Sequence, residues 1–281
     1  MNKCKCEQMS RRGNSRNLAN DSITTADIEK YIQQQSDFAF EMEILQIIKR
    51  KCSYASSWGG VYFDPQTRKQ REYDIRTELR LNYNLEKVLK LAIECKNFKP
   101  NYPLVISCTP RIEQEQKIDV WHWGSNAQYE RQFCCPTSFY QLNGWVGRSL
   151  DQVGKDSNSD LIIEDNSTYD KWTQALASLH GMLEDALSYN ASDGYDYLVF
   201  LPLIVVPDGT LWQINYSAEG QRAGDPKQVD SVNFWIDVEY LIKHDSRSEY
   251  YNISHLHFLT KKGLINFLDN EPVLLNAFCR Y

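Results

Sequence analysis

No stretch of this 281-residue chain suggests a membrane span. The longest apolar run, Tyr197 to Val206, has ten residues, against the ~20 that a spanning helix needs. The polar N-terminus has no apolar segment of the kind that marks a secretion signal. The sequence contains no Walker-type phosphate loop, no glycine-rich dinucleotide fingerprint and no internal repeat, which excludes the function classes built on those motifs. Eight cysteines are present, but Cys4-Lys5-Cys6 and Cys134-Cys135 do not give the paired Cys-x-x-Cys spacing of a structural zinc site. The expectation is a cytoplasmic protein with reduced thiols. Positive charge is also lacking overall: the net charge is −6 and the pI about 5.5.

The charge is unevenly placed. Residues 1–100 hold 18 Lys and Arg against 13 Asp and Glu, a net of +5, and the remaining 181 residues hold 13 against 24, a net of −11. A phosphate-binding face on an acidic protein would therefore lie in the first hundred residues. The first 22 residues are polar and rich in Asn and Arg, and read as a mobile arm. Residues 23–281 read as one domain of a size that can bury a substantial core. Thr24-x-x-Asp27 is a capping-box-like start for a short helix to Gln35.

Two strand-like runs carry the chemistry. From Tyr73 to Leu81, Tyr73, Ile75, Thr77, Leu79 and Leu81 alternate with Glu72, Asp74, Arg76, Glu78 and Arg80, the period of a half-buried strand. From Val88 to Lys96, Leu89, Leu91, Ile93 and Cys95 form an apolar face, and Val88, Lys90, Ala92, Glu94 and Lys96 the opposite one. Glu94 and Lys96 thus project together while Cys95 points into the core. Asn82-Tyr83-Asn84 reads as a turn between the runs. A third strand, Trp58 to Phe63, ends at the turn Asp64-Pro65-Gln66-Thr67. Strand, turn, strand, turn, strand implies an antiparallel meander, in which Asp74 and Glu94 can approach each other. Two carboxylates and a lysine are a minimal set for phosphodiester hydrolysis. Mg²⁺ or Mn²⁺ prefers such oxygens, and a lysine beside the ion offsets developing charge.

Gly60-Val61-Tyr62-Phe63-Asp64-Pro65, Arg71-Glu72-Tyr73-Asp74-Ile75 and Ala92-Ile93-Glu94-Cys95-Lys96-Asn97 together resemble the PD-(D/E)xK nuclease superfamily, the restriction-endonuclease-like fold. The detailed likeness covers residues 36–110, and Tyr73 stands where that motif has proline. The resemblance implies an α/β fold with a mixed central sheet flanked by helices. It implies Asp74 and Glu94 as metal ligands, the Cys95 carbonyl as a further ligand, Lys96 as the catalytic lysine, and DNA as substrate, in defence or repair. The family often adds an acid from the preceding helix. Ser36-Asp37 can cap a helix to Lys51 with a stripe of Phe40, Ile44, Ile47 and Ile48. Glu41 and Glu43 flank that stripe, and the resemblance favours Glu43, which precedes Ile44 much as the family's acid precedes its aliphatic residue. A homodimer would let two sites cut both strands of a duplex. A non-catalytic nucleic-acid-binding module on the same fold, or a nuclease gated by a partner or ligand, are the alternatives.

Residues 110–165, with Trp121-His122-Trp123, Tyr129, Phe133, Phe139, Tyr140 and Trp145, read as an aromatic-rich insertion or lobe. Trp172, Leu176, Leu179, Leu183 and Leu187 lie at helical spacing, with Gln174 off the stripe; the resembled family sometimes places a polar site residue on the helix after its motif strand, which makes Gln174 a candidate. Tyr197 to Val206 reads as a buried strand in which Pro202 argues for a bulge or an edge, followed by a hairpin turn at Asp208-Gly209. Phe234 to Ile242 reads as a strand or short helix. His255 and His257 share a strand face, with no third metal ligand nearby in sequence.

Overall fold

The computed structural model describes residues 21–34, 36–51, 56–64, 68–81, 87–123, 129–134, 140–156, 158–164, 166–188, 197–244 and 247–270. Most of the expected N-terminal arm, Cys4, Cys6 and Cys135, and the turns at 65–67 and 82–84 lie outside these residues. The chain divides into two units, residues 1–35 and 36–281. In the first, helix α1 (Thr25–Gln34) starts with the anticipated cap. Asp27 N donates to Thr24 Oγ1 at 3.3 Å, and Thr24 N donates back to Asp27 Oδ2 at 2.9 Å.

The second unit is α/β. Its elements are α2 (Phe38–Lys51), β1 (Ser56–Asp64), β2 (Lys69–Leu81), β3 (Lys87–Cys95), β4 (Leu104–Pro110), a 3₁₀ turn (Glu113–Gln116), β5 (Ile118–Trp123), β6 (Tyr129–Cys134), β7 (Trp145–Lys155), β8 (Leu161–Glu164), α3 (Asn166–Ser188), β9 (Tyr197–Val206), β10 (Leu211–Asn215), β11 (Lys227–Gln228), β12 (Ser231–His244), β13 (Arg247–Thr260) and α4 (Lys261–Asp269). Thirteen strands form one mixed sheet in the order β1-β2-β3-β9-β13-β12-β7-β4-β10-β11, with β5 joining β9, β6 joining β5 and β8 joining β7. Residues 110–165, expected as an attached lobe, thus supply β5 to β8 to this same sheet. Among the described residues no helix is long and apolar enough to cross a membrane.

The predicted meander is present: β1–β2 and β2–β3 are antiparallel, and β3 then pairs β9 in parallel. Helices cover both faces of this region. On one face Phe40, Ile44 and Ile48 of α2 and Leu264 and Phe267 of α4 pack on Leu89, Leu91, Ile93, Cys95, Leu201 and Leu203. Each fully buried aliphatic contributes roughly 2 kcal/mol. On the other face Leu176, Leu179 and Leu183 of α3 pack on Val88, Ala92, Leu198 and Phe200. Every residue from Val88 to Cys95 is therefore buried, the face that carries Lys90 included. Lys90 is 6 % exposed and forms an ion pair with Glu78.

Two sequence expectations change at β9. Pro202 sits in the middle of the sheet, not at an edge or in a bulge. It pairs Ala92 on the β3 side. On the other side β9 meets β5 at residues 197 and 198 and β13 only from Leu203 on. The proline falls where β9 changes neighbours, so its missing N–H leaves no ladder bond broken on that side. Asp208-Gly209 does form a turn, with Gly209 at φ 79°, but not a hairpin, because β10 pairs β4 and β11 instead of β9. The segment 234–242 is strand, within β12.

Candidate active site

The β2–β3 ladder ends at Ile75 opposite Ile93, one residue short of Asp74 and Glu94. Beyond that point β2 continues along β1 as far as Lys69, while β3 continues along β9, with Lys96 N donating to Val205 O at 2.9 Å. The sheet forks there. Asp74 spans the opening by accepting from Cys95 N through Oδ2 at 2.7 Å.

The backbone is also irregular at Asp74. Gly59–Asp74 is the one step missing from the β1–β2 ladder, and Gly59 adopts φ 65°, a conformation that glycine reaches without steric penalty. The strict alternation expected from Tyr73 to Leu81 breaks at this residue. Ile75 packs on α2, whereas the Tyr73 ring lies under the Arg76 guanidinium at 4.2 Å, and Arg76 bonds Ser178 of α3. Such irregularities re-aim side chains next to functional sites.

Lys96 lies between its partners. Its Nζ is 2.5 Å from Glu94 Oε1 and 3.3 Å from Gln174 Oε1, so the off-stripe glutamine of α3 does reach the lysine. Asn97 Nδ2 donates to Ser36 O at 3.0 Å, tying the start of α2 to the end of the motif strand. This brings Glu41 into electrostatic range of Asp74 and Lys96. Glu43, the acid favoured from sequence, is placed elsewhere. It is half exposed and pairs Lys261 Nζ of α4 at 2.7 Å. The sequence step is physical: Ile44 and Leu45 point into the core, and two residues before Glu43 a helix has turned by about 200°.

The titration behaviour follows from burial and from an excess of carboxylates. Glu94 is pushed up to about 7 by burial and by Asp74 and Glu41, against the pull of Lys96. Glu41 rises to about 7 through burial and the charges of Asp74 and Asp37. Burial raises Asp74 as well, opposed by the Cys95 N–H and Lys96. Burial disfavours the charge on Lys96, but Glu94 and Asp74 outweigh it and raise its pKa. The Cys95 side chain is 1 % exposed in the core, and burial drives its thiol well up, so only its backbone is available to a ligand.

Among the described residues, no three His, Cys, Asp or Glu side chains converge tightly enough to hold a metal ion. Asp74 and Glu94 offer two carboxylates, each with one oxygen, Oδ1 and Oε2, outside the bonds to Cys95 and Lys96. That donor set fits Mg²⁺, which takes one or two carboxylates and keeps several waters. His255 and His257, by contrast, are fully buried. His257 Nε2 lies 2.8 Å from Tyr140 OH, and His255 stacks on the Tyr140 ring at 3.9 Å.

Searches of family models, of curated proteins and of solved structures found no match for this chain.

Proposed function

We propose that this protein is a metal-dependent nuclease of the PD-(D/E)xK type, with a restriction-endonuclease-like core, hydrolysing phosphodiester bonds of DNA with Mg²⁺ or Mn²⁺. One observation carries the reading: at the β2–β3 fork Lys96 Nζ lies 2.5 Å from Glu94 Oε1, Asp74 accepts from Cys95 N at 2.7 Å, and Glu41 of α2 stands within electrostatic range of Asp74 and Lys96. Three acids around one ammonium leave an uncompensated negative charge in a partly dry site, which is costly unless a cation enters. Asp74 and Glu94 would hold that ion, with the Cys95 carbonyl as a further donor. When bound, the ion would neutralise charge on the phosphoryl group and acidify a coordinated water.

The chain's own groups do the rest. Lys96 keeps its proton because Glu94 and Asp74 raise its pKa. It therefore presents a fixed positive charge where an oxyanion develops. Gln174 restrains the ammonium at 3.3 Å. Glu41, with a pKa of about 7, can accept or return a proton near neutral pH, the range in which general acid–base groups work best.

The test is incubation with supercoiled plasmid and with single-stranded DNA in Mg²⁺ and in Mn²⁺, beside Asp74→Ala and Lys96→Ala. Cleavage by the wild type that is lost in both variants is the expected result. No cleavage by folded wild type, with DNA binding indifferent to Mg²⁺ and to Lys96→Ala, overturns it in favour of a non-catalytic binding module.

A further inference from the structure

A cavity of about 300 Å³ lies beside this cluster. It is lined by Ser56, Ser57, Tyr73, Arg76, Thr77, Glu78, Lys90, Met182 and Asp185. Cross-strand register builds its floor: Ser57 faces Arg76 across β1–β2, and Glu78 faces Lys90 across β2–β3. Met182 and Asp185 of α3 form the opposite wall. Arg76 lies two residues along β2 from Asp74, and the lining residue Tyr73 directly precedes Asp74.

The floor is organised before any ligand arrives. Arg76 donates from Nε to Ser178 Oγ at 3.2 Å and from Nη2 to Ser178 O at 2.8 Å. Its guanidinium also lies over the Tyr73 ring at 4.2 Å and the Tyr62 ring at 5.4 Å. Among the described residues, Nη1 has only a 3.7 Å ion-pair contact with Asp185, longer than a hydrogen bond. Lys90 is held by Glu78. Each charge of the lining already has a partner of opposite sign, Arg76 with Asp185 and Lys90 with Glu78, and Glu78 is shared with Arg80. A phosphate would have to displace a carboxylate to reach either cation of the lining. A flat, neutral group bearing both donors and acceptors matches it, with Met182 as an apolar surface, the Tyr73 ring carrying the Arg76 guanidinium on one face, and the Ser57 hydroxyl beside the bonded pair Ser56 Oγ–Thr77 Oγ1.

We propose that this cavity is a nucleobase subsite of the same active site, taking the base of the nucleotide next to the scissile phosphate; this rests on the nuclease reading. Its volume admits about one nucleoside-sized group, at the low end of ligand pockets. A base that is paired and stacked in a duplex cannot enter, so the occupant is an unpaired nucleotide. The substrate class that follows is single-stranded DNA or a duplex with an unpaired segment.

The experiment compares binding of a labelled twelve-residue thymidine strand with that of an all-abasic strand of equal length, by anisotropy without divalent metal, for the wild type and Ser57→Trp. Ser57 is exposed on an edge strand, so the indole fills the cavity mouth without entering the core. The wild type should bind the thymidine strand at least ~10-fold more tightly than the abasic one, since stacking one base is worth ~1–3 kcal/mol. Ser57→Trp should abolish that ratio. Equal binding of the two strands by the wild type, which needs no variant, overturns the proposal; so does a ratio that survives Ser57→Trp. Cleavage of the same strands in Mg²⁺ tests the nuclease reading separately. Cleavage without a base-dependent ratio removes the subsite and keeps the nuclease, and a ratio without cleavage does the reverse.

Discussion

Acid should unfold this protein partly through His257, and the size of the effect can be worked out. Burial, with Arg111 nearby, lowers the His257 pKa to about 3 from 6.5, and His255 is likewise lowered by burial and by Arg111. The Arg111 Nη1 that lies 2.8 Å from His255 Nε2 can only donate, so that nitrogen must be unprotonated. Between about 3 and 6.5 the unfolded chain binds a proton on His257 that the folded chain refuses. Stability is therefore full above 6.5 and is lost as the pH falls through that value. From about pH 7.5 to about pH 5 the loss is ~2 kcal/mol for one histidine. Glu94 works in the opposite direction: with its pKa raised from 4.5 to about 7, the folded state holds the extra proton and gains ~2 kcal/mol over the same interval. The wild-type slope is thus a sum of opposing terms, and only a difference between proteins isolates the histidine. His257→Gln keeps an acceptor for Tyr140 OH and removes the titration. Urea unfolding followed by tryptophan fluorescence should show the variant less stable at about pH 7.5 by ~1–3 kcal/mol. Its further loss on going to about pH 5 should be ~2 kcal/mol smaller than that of the wild type. If the two proteins lose stability in parallel, to within ~0.5 kcal/mol, His257 is not held neutral and the reasoning is wrong.

Three other outcomes bear on the site. Glu41→Gln should lower the rate of DNA cleavage at least ~100-fold. Glu43→Gln should stay within about twofold and change stability by less than ~1 kcal/mol, because it removes only the exposed pair with Lys261; the reverse order in a plasmid-nicking assay would restore Glu43 to the site. Since Glu41 and Glu94 ionise at about 7, Mg²⁺ should bind more tightly at about pH 8 than at about pH 6 and release protons at the lower value, measurable by calorimetry in buffers of different ionisation heat. Asp74→Asn should abolish that binding. Gly59→Ala should cost ~1 kcal/mol in a melting experiment because its φ is 65°, and should lower cleavage further than that instability explains by shifting Asp74.

The meander was legible because the runs 75–81 and 89–95 carry their apolar residues at period two and the turn-prone residues between the strands are explicit in the sequence. The helix cap at Thr24 was legible for a local reason; Gln174, 78 residues from Lys96, was a candidate only through the family resemblance. The covering of β3 on both faces was not, because a lysine in a strand reads as solvent-facing unless its partner is known. Glu78, directly opposite Lys90 in the register, supplies that partner only once the two strands are paired. Pro202 misled for the same kind of reason. Its position is permitted by which strands lie beside β9 at each residue, and that is a property of the sheet order and not of the run Tyr197–Val206.

The site divides along the same line. Asp74 stands next to the last β2–β3 pair, and Glu94 and Lys96 flank the end of β3, so strand pattern together with the family resemblance could gather them. The choice between Glu41 and Glu43 depends on the angle at which α2 crosses the sheet, which the apolar stripe leaves open because both acids flank it. What resolves it is long-range: Lys261, 218 residues later, takes Glu43, and Asn97 ties Ser36 to the motif strand so that the first turn of α2 overhangs the fork. Gly59 belongs to this second group as well. Nothing in Trp58-Gly59-Gly60 names Asp74 as its neighbour, yet the missing ladder step between them is where the strand alternation breaks. The carboxylate at the fork is therefore positioned by a glycine on the adjacent strand as much as by its own strand.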